Sequence, residues 1–514
     1  MGFTHNRSEM KVRNIPLLLT CALCISCAVS SAFSSEYSRI DVTPQQVILQ
    51  GKDASFQLLI TGYSDTGKAT DLTRTASYRI DGEPLVQLDD SGIIRSVQNG
   101  QTHVVVIVDD REISVPVSVD SSDHRISLNF ENDIEPILSR YRCNTSGCHG
   151  KAEGQNGFKL SVFGFDPAAD YSALVMEARG RRVFPSSPER SLLLQKMSGG
   201  VPHGGGIPID PARPEYRTVR DWILEGMPVG SPEDAIVTKI QLTPSQQVMY
   251  RGGQQQLRAV ATMSDGREVD VTELAQFRSN AAAQAVVSPE GLITTGQSPG
   301  VVAVMVTYMG NVDVFKAFIP RAEGSIDFPD VAVNNGIDLH VNNQLKKLNI
   351  IPSGRTDDAS YLRRVYVDLI GTLPTAEETR EFLTDARADK RSLIVDALME
   401  RPEFADYWAL KWSDLLRVNR LALGHKKAYS YYNWIRQSFE ENKPLDDFAR
   451  DLITAEGPLR EQPAGTFYRA VSGANKQAST LSQVLLGIRI ECAECHHHPW
   501  DRWSQQDYFG MQAF

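Results

Sequence analysis

The chain contains 514 residues, with 53 Lys or Arg against 63 Asp or Glu, which gives a formal charge of −10. This acidic balance, without a basic stripe, argues against a general nucleic-acid-binding protein. The apolar content of 41% is ordinary for globular cores, and the length predicts about three or four domains.

The N-terminal segment, residues 1–34, is predicted to be a secretory signal peptide. Lys11 and Arg13 precede an uncharged run from Ile15 to Phe33 that closes with small residues. An uncleaved anchor helix is the alternative, although the run is barely long enough to span a membrane. We therefore expect an exported protein, periplasmic, secreted or at the cell surface, with no further membrane-spanning segment.

Two stretches of the chain repeat each other at a spacing of about 200 residues. Thr43-Pro44 recurs as Thr243-Pro244, and Gly92-Ile93-Ile94 recurs as Gly291-Leu292-Ile293. Each stretch consists of short alternating strands separated by Gly, Asp and Ser turns. This pattern is typical of a β-sandwich.

The two copies, residues 36–120 and 236–321, resemble the bacterial immunoglobulin-like domain, group 2. The Thr-Pro start, the turns at Ser64-Asp65 and Ser264-Asp265 and the Gly-Leu-Ile hairpin carry the resemblance. It implies two all-β sandwiches that act as spacers or as modules for adhesion and presentation.

A helical segment, residues 126–230, is predicted between the two copies. Apolar residues from Ile134 to Leu138 fall on one face of a short helix, which Asn132 or Asp133 is expected to cap. A second helix, Pro214 to Glu225, closes the segment.

The first helix leads into Cys143 and Cys148, which are followed at once by His149. A c-type haem is held by two cysteine thioether bonds, and the adjacent imidazole is an axial ligand of the iron. Two intervening residues are usual, whereas four form a longer loop here, with Gly147 giving backbone freedom. A Cys143–Cys148 disulfide and a zinc site are the alternatives.

The second axial ligand is predicted in the loop before the closing helix. His203 lies in a Val-Pro-His-Gly-Gly-Gly stretch, whose glycines would let the backbone approach a haem edge. Met197 is the alternative, and a methionine ligand would raise the reduction potential. An open iron site, with His203 on a surface loop, is the third possibility.

The order of helix, cysteine pair with histidine, long loop and closing helix is that of a small cytochrome c. The stretch from Asp133 to Gly150, the His203 loop and Trp222 to Gly226 resemble the planctomycete-type cytochrome c domain. The resemblance covers most of residues 126–230 and implies an all-α domain that carries haem c.

Residues 334–514 have strongly helical apolar spacing, and Thr375-Ala-Glu-Glu378 is a predicted capping box. The stretch resembles a planctomycete domain of unknown function that commonly follows such cytochrome domains. The resemblance rests on Arg363 to Gly371, on Leu373-Pro374 and on the segment from residue 492 to residue 503. It implies no settled activity. Such proteins usually continue into another helical domain, so a truncated or differently ended member is expected.

The second cysteine pair, Cys492 and Cys495, precedes His496 with the standard C-x-x-C-H spacing of haem attachment. The adjacent His497 and His498 leave a non-haem metal site open as an alternative, although so compact a ligand set is sterically awkward for zinc. A redox or structural disulfide is the other alternative.

The predicted fold is therefore two all-β immunoglobulin-like sandwiches flanking an all-α cytochrome c-like domain, followed by a mainly α C-terminal domain. The predicted function is that of an exported c-type cytochrome-like protein, with one haem c and a possible second, which transfers electrons to an unidentified redox partner. A haem-linked enzyme whose C-terminal domain is catalytic is one alternative. A surface interaction protein with degenerate haem sites is the other, and no catalytic residue is assigned.

Overall fold

The computed structural model describes residues 37–51, 54–120, 128–205, 209–322, 324, 326–495, 498 and 503–513. The predicted signal peptide, residues 1–34, and His496 lie outside these ranges. Within them, no helix is long and apolar enough to cross a membrane.

The first β unit contains ten strands. They are β1 (Arg39–Thr43), β2 (Val47–Gln50), β3 (Ser55–Gln57), β4 (Leu59–Tyr63), β5 (Ala69–Asp71), β6 (Ser77–Asp81), β7 (Val86–Leu88), β8 (Ile93–Ser96), β9 (Gly100–Val108) and β10 (Arg111–Asp120). They form sheets in the orders β1-β4-β5, β2-β10-β9-β6 and β3-β8-β7. The pairs are antiparallel except for β2 with β10, which is parallel.

The second β unit has the same number and order of strands. They are β11 (Val237–Thr243), β12 (Gln246–Val248), β13 (Gln254–Gln256), β14 (Arg258–Met263), β15 (Glu268–Asp270), β16 (Gln276–Ser279), β17 (Ala285–Val287), β18 (Leu292–Thr295), β19 (Gly300–Tyr308) and β20 (Asn311–Ile319). The sheets β11-β14-β15, β12-β20-β19-β16 and β13-β18-β17 repeat the first topology strand for strand. The predicted pair of immunoglobulin-like β domains is confirmed.

The alternation of buried and exposed residues along the strands explains how each sandwich forms. In β10, Val115, Val117 and Val119 are buried, while Glu112 and Pro116 between and before them are exposed. Successive strand residues point to opposite faces, so the valines pack into the core between the sheets.

The two β units contact each other through reciprocal hydrogen bonds. The Gln57 backbone N–H donates to Asp270 Oδ2 over 2.8 Å, and the Gln256 backbone N–H donates to Asp71 Oδ2. The two aspartates occupy matching positions at the ends of β5 and β15. The contact is therefore pseudo-twofold, with each repeat presenting the same donor and the same acceptor.

The segment between the β units contains short helices. They are α1 (Glu135–Arg140), α2 (Pro167–Tyr171), α3 (Leu192–Met197) and α4 (Pro214–Leu224), with shorter turns between them. Ile137 and Leu138 of α1 share one core with Val219 and Trp222 of α4. The closing helix lies where the sequence predicts it.

The opening helical turn begins earlier than predicted. Asn129, rather than Asn132 or Asp133, is the cap, because its side-chain oxygen accepts a hydrogen bond from the Asn132 backbone N–H at 3.1 Å. The turn it caps, Phe130–Ile134, is a π-type turn that runs into α1. Its hydrogen-bonding pattern is not visible in the apolar spacing on which the prediction rests.

The helical segment packs on the second β unit. Asn132 Nδ2 donates to the Ala235 carbonyl at 2.9 Å, and Arg140 Nη1 donates to the Ala275 carbonyl at 3.3 Å. Burial lowers the pKa of Arg140, with Glu290 nearby opposing the shift. These contacts fix α1, and with it the first cysteine pair, relative to that sandwich.

The C-terminal region is mostly helical. Its helices are α5 (Gly336–Lys347), α6 (Asp358–Ile370), α7 (Ala376–Thr384), α8 (Lys390–Met399), α9 (Pro402–Leu415), α10 (Arg420–Leu423), α11 (His425–Glu440), α12 (Leu445–Ile453), α13 (Phe467–Ala470), α14 (Ala474–Leu485) and α15 (Gln505–Gln512). The predicted capping box is present, since Thr375 and Glu378 exchange hydrogen bonds at the start of α7. The main core of the region lies around Tyr431, Ile435 and Phe467.

Candidate functional site

The first cysteine pair lies in a compact loop held by backbone hydrogen bonds. The Cys143 N–H donates to the Leu138 carbonyl at 2.9 Å, and the His149 N–H donates to the Cys143 carbonyl at 3.0 Å. Gly150 ends the loop so tightly that a Cβ there would lie 2.0 Å from the Asn144 carbonyl oxygen. The loop therefore sets both thiols and the histidine at one end of α1.

The two predicted histidine ligands face each other. The rings of His149 and His203 are nearly parallel, 16° apart, with their centroids 6.1 Å apart. The loop that carries His203 also approaches the thiols, because a Cβ on Gly205 would lie 3.3 Å from Cys148 Sγ. Residues far apart in the chain thus meet at one site.

The protonation of His149 suits a metal ligand. Its Nδ1 is 3.0 Å from the Phe158 carbonyl oxygen, which can only accept, so Nδ1 carries the proton and Nε2 is left with its lone pair. Burial lowers the pKa of His149, although the hydrogen bond to Phe158 opposes the shift. Partial burial lowers the pKa of His203, and the positive charge of Lys196 lowers it further. Both rings are therefore neutral at pH 7.

Met197, the alternative second ligand, has a different environment. It is 7% exposed and belongs to the apolar core with Leu194 and Val219. Its backbone carbonyl accepts a hydrogen bond from the Ile209 N–H at 2.7 Å, which fixes the end of α3. The geometry brings His203, rather than Met197, opposite His149.

The two thiols of the first pair are free and half-buried. Burial, then the nearby charges of Glu135 and Cys148, raises the pKa of Cys143 to about 12. The thiolate is the reactive form of cysteine, and it is scarce when the pKa is so high. The Cys143 thiol therefore lacks the lowered pKa that marks a redox-active cysteine.

A buried carboxyl pair lies beneath the loop, and the sequence patterns did not single it out. Glu135 is fully buried, and its Oε1 accepts a hydrogen bond from Asn144 Nδ2 at 2.9 Å. Asp170 accepts from the Ser161 backbone N–H and hydroxyl, each at 2.5 Å. Burial raises the pKa of Asp170 to about 6. Burial and then the charge of Asp170 raise the pKa of Glu135 well above its ordinary value.

Replacing Glu135 by glutamine should stabilise the chain at alkaline pH. Both carboxyls keep their protons to higher pH when folded, so wild-type stability falls as pH rises from about 4 to about 6 and above, by up to about 1.4 kcal/mol per pH unit and proton. The glutamine side chain keeps the acceptor for Asn144 and removes one titrating group. We expect Glu135→Gln to gain about 1 kcal/mol or more at pH 8 in urea unfolding, with a flatter pH profile.

The matched control for this experiment is Glu153→Gln. Glu153 is exposed, so its replacement should change stability by less than about 0.5 kcal/mol at any pH. A Glu135→Gln variant that is less stable than wild type at pH 8, with an unchanged pH profile, would show that the carboxyl is ionised and stabilising.

Cys492 lies in a short 3₁₀ turn, Glu491–Glu494, and Cys495 directly follows this turn; both cysteines are exposed and free. Ala493 between them is fully buried and packs with Ile490 and Tyr508. His498 is 8% exposed, and its backbone N–H donates to the Trp503 carbonyl at 2.8 Å. Within the described ranges, no cluster of three or more His, Cys, Asp or Glu has the geometry of a metal site.

Residues 336–514 match the family model PSCyt2, protein of unknown function (DUF1549). The prediction of a domain of unknown function at residues 334–514 is thereby confirmed. No curated protein matches the chain.

Solved structures resemble the chain at low similarity. Domains 4–9 of the surface layer protein SbsC align with 56% of this chain and 32% of that one, at 12% identity and a TM-score of 0.24. Domains 5–6 of the same protein align with 55% of this chain and 96% of that one, at 11% identity and a TM-score of 0.23. The chain thus spans about a third of the length of the first structure.

The structure brings together four of the predicted site residues, Cys143, Cys148, His149 and His203. Cys492 and Cys495 form a separate site on the C-terminal helical region, and their neighbour His496 lies outside the described residues. Glu135 and Asp170 are the additional residues of the first site. The sequence signals only Glu135, as a carboxylate on the apolar face of the helix that precedes the cysteines.

Proposed function

We propose that residues 126–230 form a c-type cytochrome domain that transfers electrons outside the cytoplasm. The observation that carries the proposal is the pairing of His149 with His203. The two rings are nearly parallel with their centroids 6.1 Å apart, close enough for both imidazoles to hold the iron of one haem.

The remaining residues of the site also fit a covalently held haem. Cys143 and Cys148 would supply the thioether bonds, and His149 and His203 would bind the iron. The Phe158 carbonyl holds the proton of His149 on Nδ1, so that the lone pair of Nε2 is available to a metal. The haem would supply one-electron chemistry, while the chain orients both imidazoles and excludes water from one side of the site.

The second pair supports a second covalent haem less strongly. The thiols of Cys492 and Cys495 are exposed, so they are accessible for attachment. The standard spacing to His496 favours a haem, but His496 lies outside the described residues. We propose one haem at the first pair and a second at this pair, held by Cys492 and Cys495 with His496 as a ligand.

The rest of the chain would present the haem domain outside the cell. Residues 1–34 would direct export, which suits haem attachment because that step is completed outside the cytoplasm. The two immunoglobulin-like units would space the haem domain from its surroundings, and an unidentified redox protein or small molecule would exchange electrons with it.

The haem-to-protein ratio tests this function. In a host with a cytochrome c maturation system, we expect the pyridine haemochrome assay to give one or two covalent haems per chain. The double variant Cys143→Ser with Cys148→Ser should lose one of them, because both thioether bonds at that site are removed.

The matched control is Cys492→Ser with Cys495→Ser, which should keep the haem of the first site. A chain without covalent haem, or a Cys143→Ser/Cys148→Ser variant with an unchanged haem ratio, would exclude a cytochrome site at residues 126–230. Disulfide formation in place of haem would instead support the interaction protein with degenerate haem sites.

A further inference from the structure

An open cleft of about 500 Å³ lies in the C-terminal helical region, beside the second cysteine pair. The first turns of α14 form one wall. Glu491 and Glu494 also line the cleft, and Glu494 Oε1 accepts a hydrogen bond from Asn475 Nδ2 at 3.3 Å, while Cys492 and Cys495 are not among the lining residues. The cleft is therefore distinct from the surface on which the thiols lie, and its volume suits a small organic molecule.

The wall formed by α14 presents unpaired backbone donors. The helix has 12 residues, and its cap, Gly473, makes no side-chain hydrogen bond to the first turn. The Ala474 and Asn475 N–H groups have no acceptor among the residues that the structure describes. Such amides, with the positive end of the helix dipole, favour an anion.

Two residues of the same helix with hydroxyl side chains also line the cleft. Ser479 is 8% exposed and Thr480 is 7% exposed. Neither hydroxyl has a hydrogen-bond partner in the described part of the chain, and neither oxygen is sealed from solvent, so both remain open to a molecule in the cleft. They lie one turn beyond the helix start, on the face that carries Lys476. Hydroxyls that reach a cleft without a protein partner favour a polar ligand.

Two cations border the same cleft without an ion-pair partner in the described ranges. They are Lys476, on the first turn of α14, and Arg417, just after the end of α9. Arg417 has a φ of 58°, in the left-handed region where glycine is usual after a helix. An arginine is disfavoured there on conformational grounds, so glycine is a compatible replacement at this position.

We propose that this cleft binds a small hydroxylated acid, a sugar-like molecule bearing a phosphate or carboxylate group. The oxyanion would lie at the start of α14, between Lys476 and Arg417. Glu491 and Glu494 would accept hydrogen bonds from the ligand hydroxyls, as would Ser479 and Thr480. Glu491 and Glu494 would repel an anion that has no hydrogen-bond donors, so the cleft would favour a hydroxylated acid over a bare anion.

Isothermal titration calorimetry on the full exported chain tests the proposal, whether or not haem is attached. The probes are glucose 6-phosphate, glucuronate, glucose and inorganic phosphate. We expect glucose 6-phosphate or glucuronate to bind about tenfold or more tightly than glucose or inorganic phosphate, because only these probes engage both cations and carboxylates. The tighter of the two identifies the oxyanion.

Arg417→Gly separates binding from folding. Glycine relieves the left-handed backbone, so the melting temperature should stay the same or rise while affinity falls about tenfold or more. Lys476→Gln should weaken binding similarly, and Thr480→Val, which keeps the side-chain shape, should weaken it by about fivefold. The matched control is Lys427→Gln on α11, an exposed lysine outside the cleft, which should leave the affinity within about twofold.

Three outcomes would overturn the proposal. They are the absence of binding of either acid at about 10 mM, binding of glucose as tight as that of the acids, and wild-type affinity of the Arg417→Gly variant. Each result is independent of the haem ratio, so failure here leaves the proposed cytochrome function intact.

Discussion

His203→Ala is expected to convert a six-coordinate haem into one that binds carbon monoxide when reduced. The near-parallel rings of His149 and His203 make the second imidazole the sixth ligand in the proposed site. Alanine leaves that position open, because no other histidine of the described chain faces His149. Binding should rise from almost none to nearly one carbon monoxide per haem of the first site.

Visible spectra of the reduced protein with and without carbon monoxide measure this change. They are best recorded in the Cys492→Ser/Cys495→Ser background, in which only the first haem is present. Met197→Leu is the matched control, since it conserves volume in the core and should cost less than about 1.5 kcal/mol. A spectrum that changes in Met197→Leu and not in His203→Ala would assign the ligand to Met197.

Local sequence patterns were sufficient for the elements that depend on local physics. The Gly, Asp and Ser turns and the alternating valines predict both β units, because turn geometry and strand burial are set within a few residues. The capping box at Thr375 likewise specifies the start of α7 without tertiary information. The glycine-rich stretch predicts a loop around His203, whereas the approach of Gly205 to the thiol of Cys148 is seen only in the folded chain.

Other features depend on contacts between distant segments and were not predictable. Glu135 and Asp170 are far apart in the chain, and only the packing of α1 on α2 and its neighbours buries them together. The repeated Asp-x-Thr of Asp71 and Asp270 is visible as a repeat, but its hydrogen bonds cross between the repeats. Arg417 gives no sequence signal, since only the folded chain brings it to the cleft that Lys476 also lines.

The reciprocal aspartates join the two β units through a shared contact. Asp71 and Asp270 each accept an N–H from the other repeat and one from their own, at Thr73 and Thr272, both at 2.9 Å. Isologous contacts of this kind normally relate two chains. In this protein the two repeats of one chain provide the two sides of the contact, so the contact itself helps to set the spacing between the β units.

Alanine at either aspartate is therefore expected to destabilise the β units strongly. Each change leaves two buried N–H groups without acceptors, at about 1–3 kcal/mol for each group, so we expect a loss of about 2–6 kcal/mol for Asp71→Ala in urea unfolding. Asp270→Ala should cost more, because Arg258, which is 7% exposed and near Asp270, loses the carboxylate that offsets its buried charge. Arg74, near Asp71, is exposed and needs no such partner.

The double variant distinguishes an interface from two independent turns. If Asp71 and Asp270 hold one shared contact, the first substitution already opens it. The double variant should then lose at least about 0.5 kcal/mol less than the sum of the single variants. Asp265→Ala, which removes an exposed aspartate paired with Arg267, should change stability by less than about 0.5 kcal/mol. Strict additivity would mean that each aspartate stabilises only its own turn, and that the two β units are joined by other contacts.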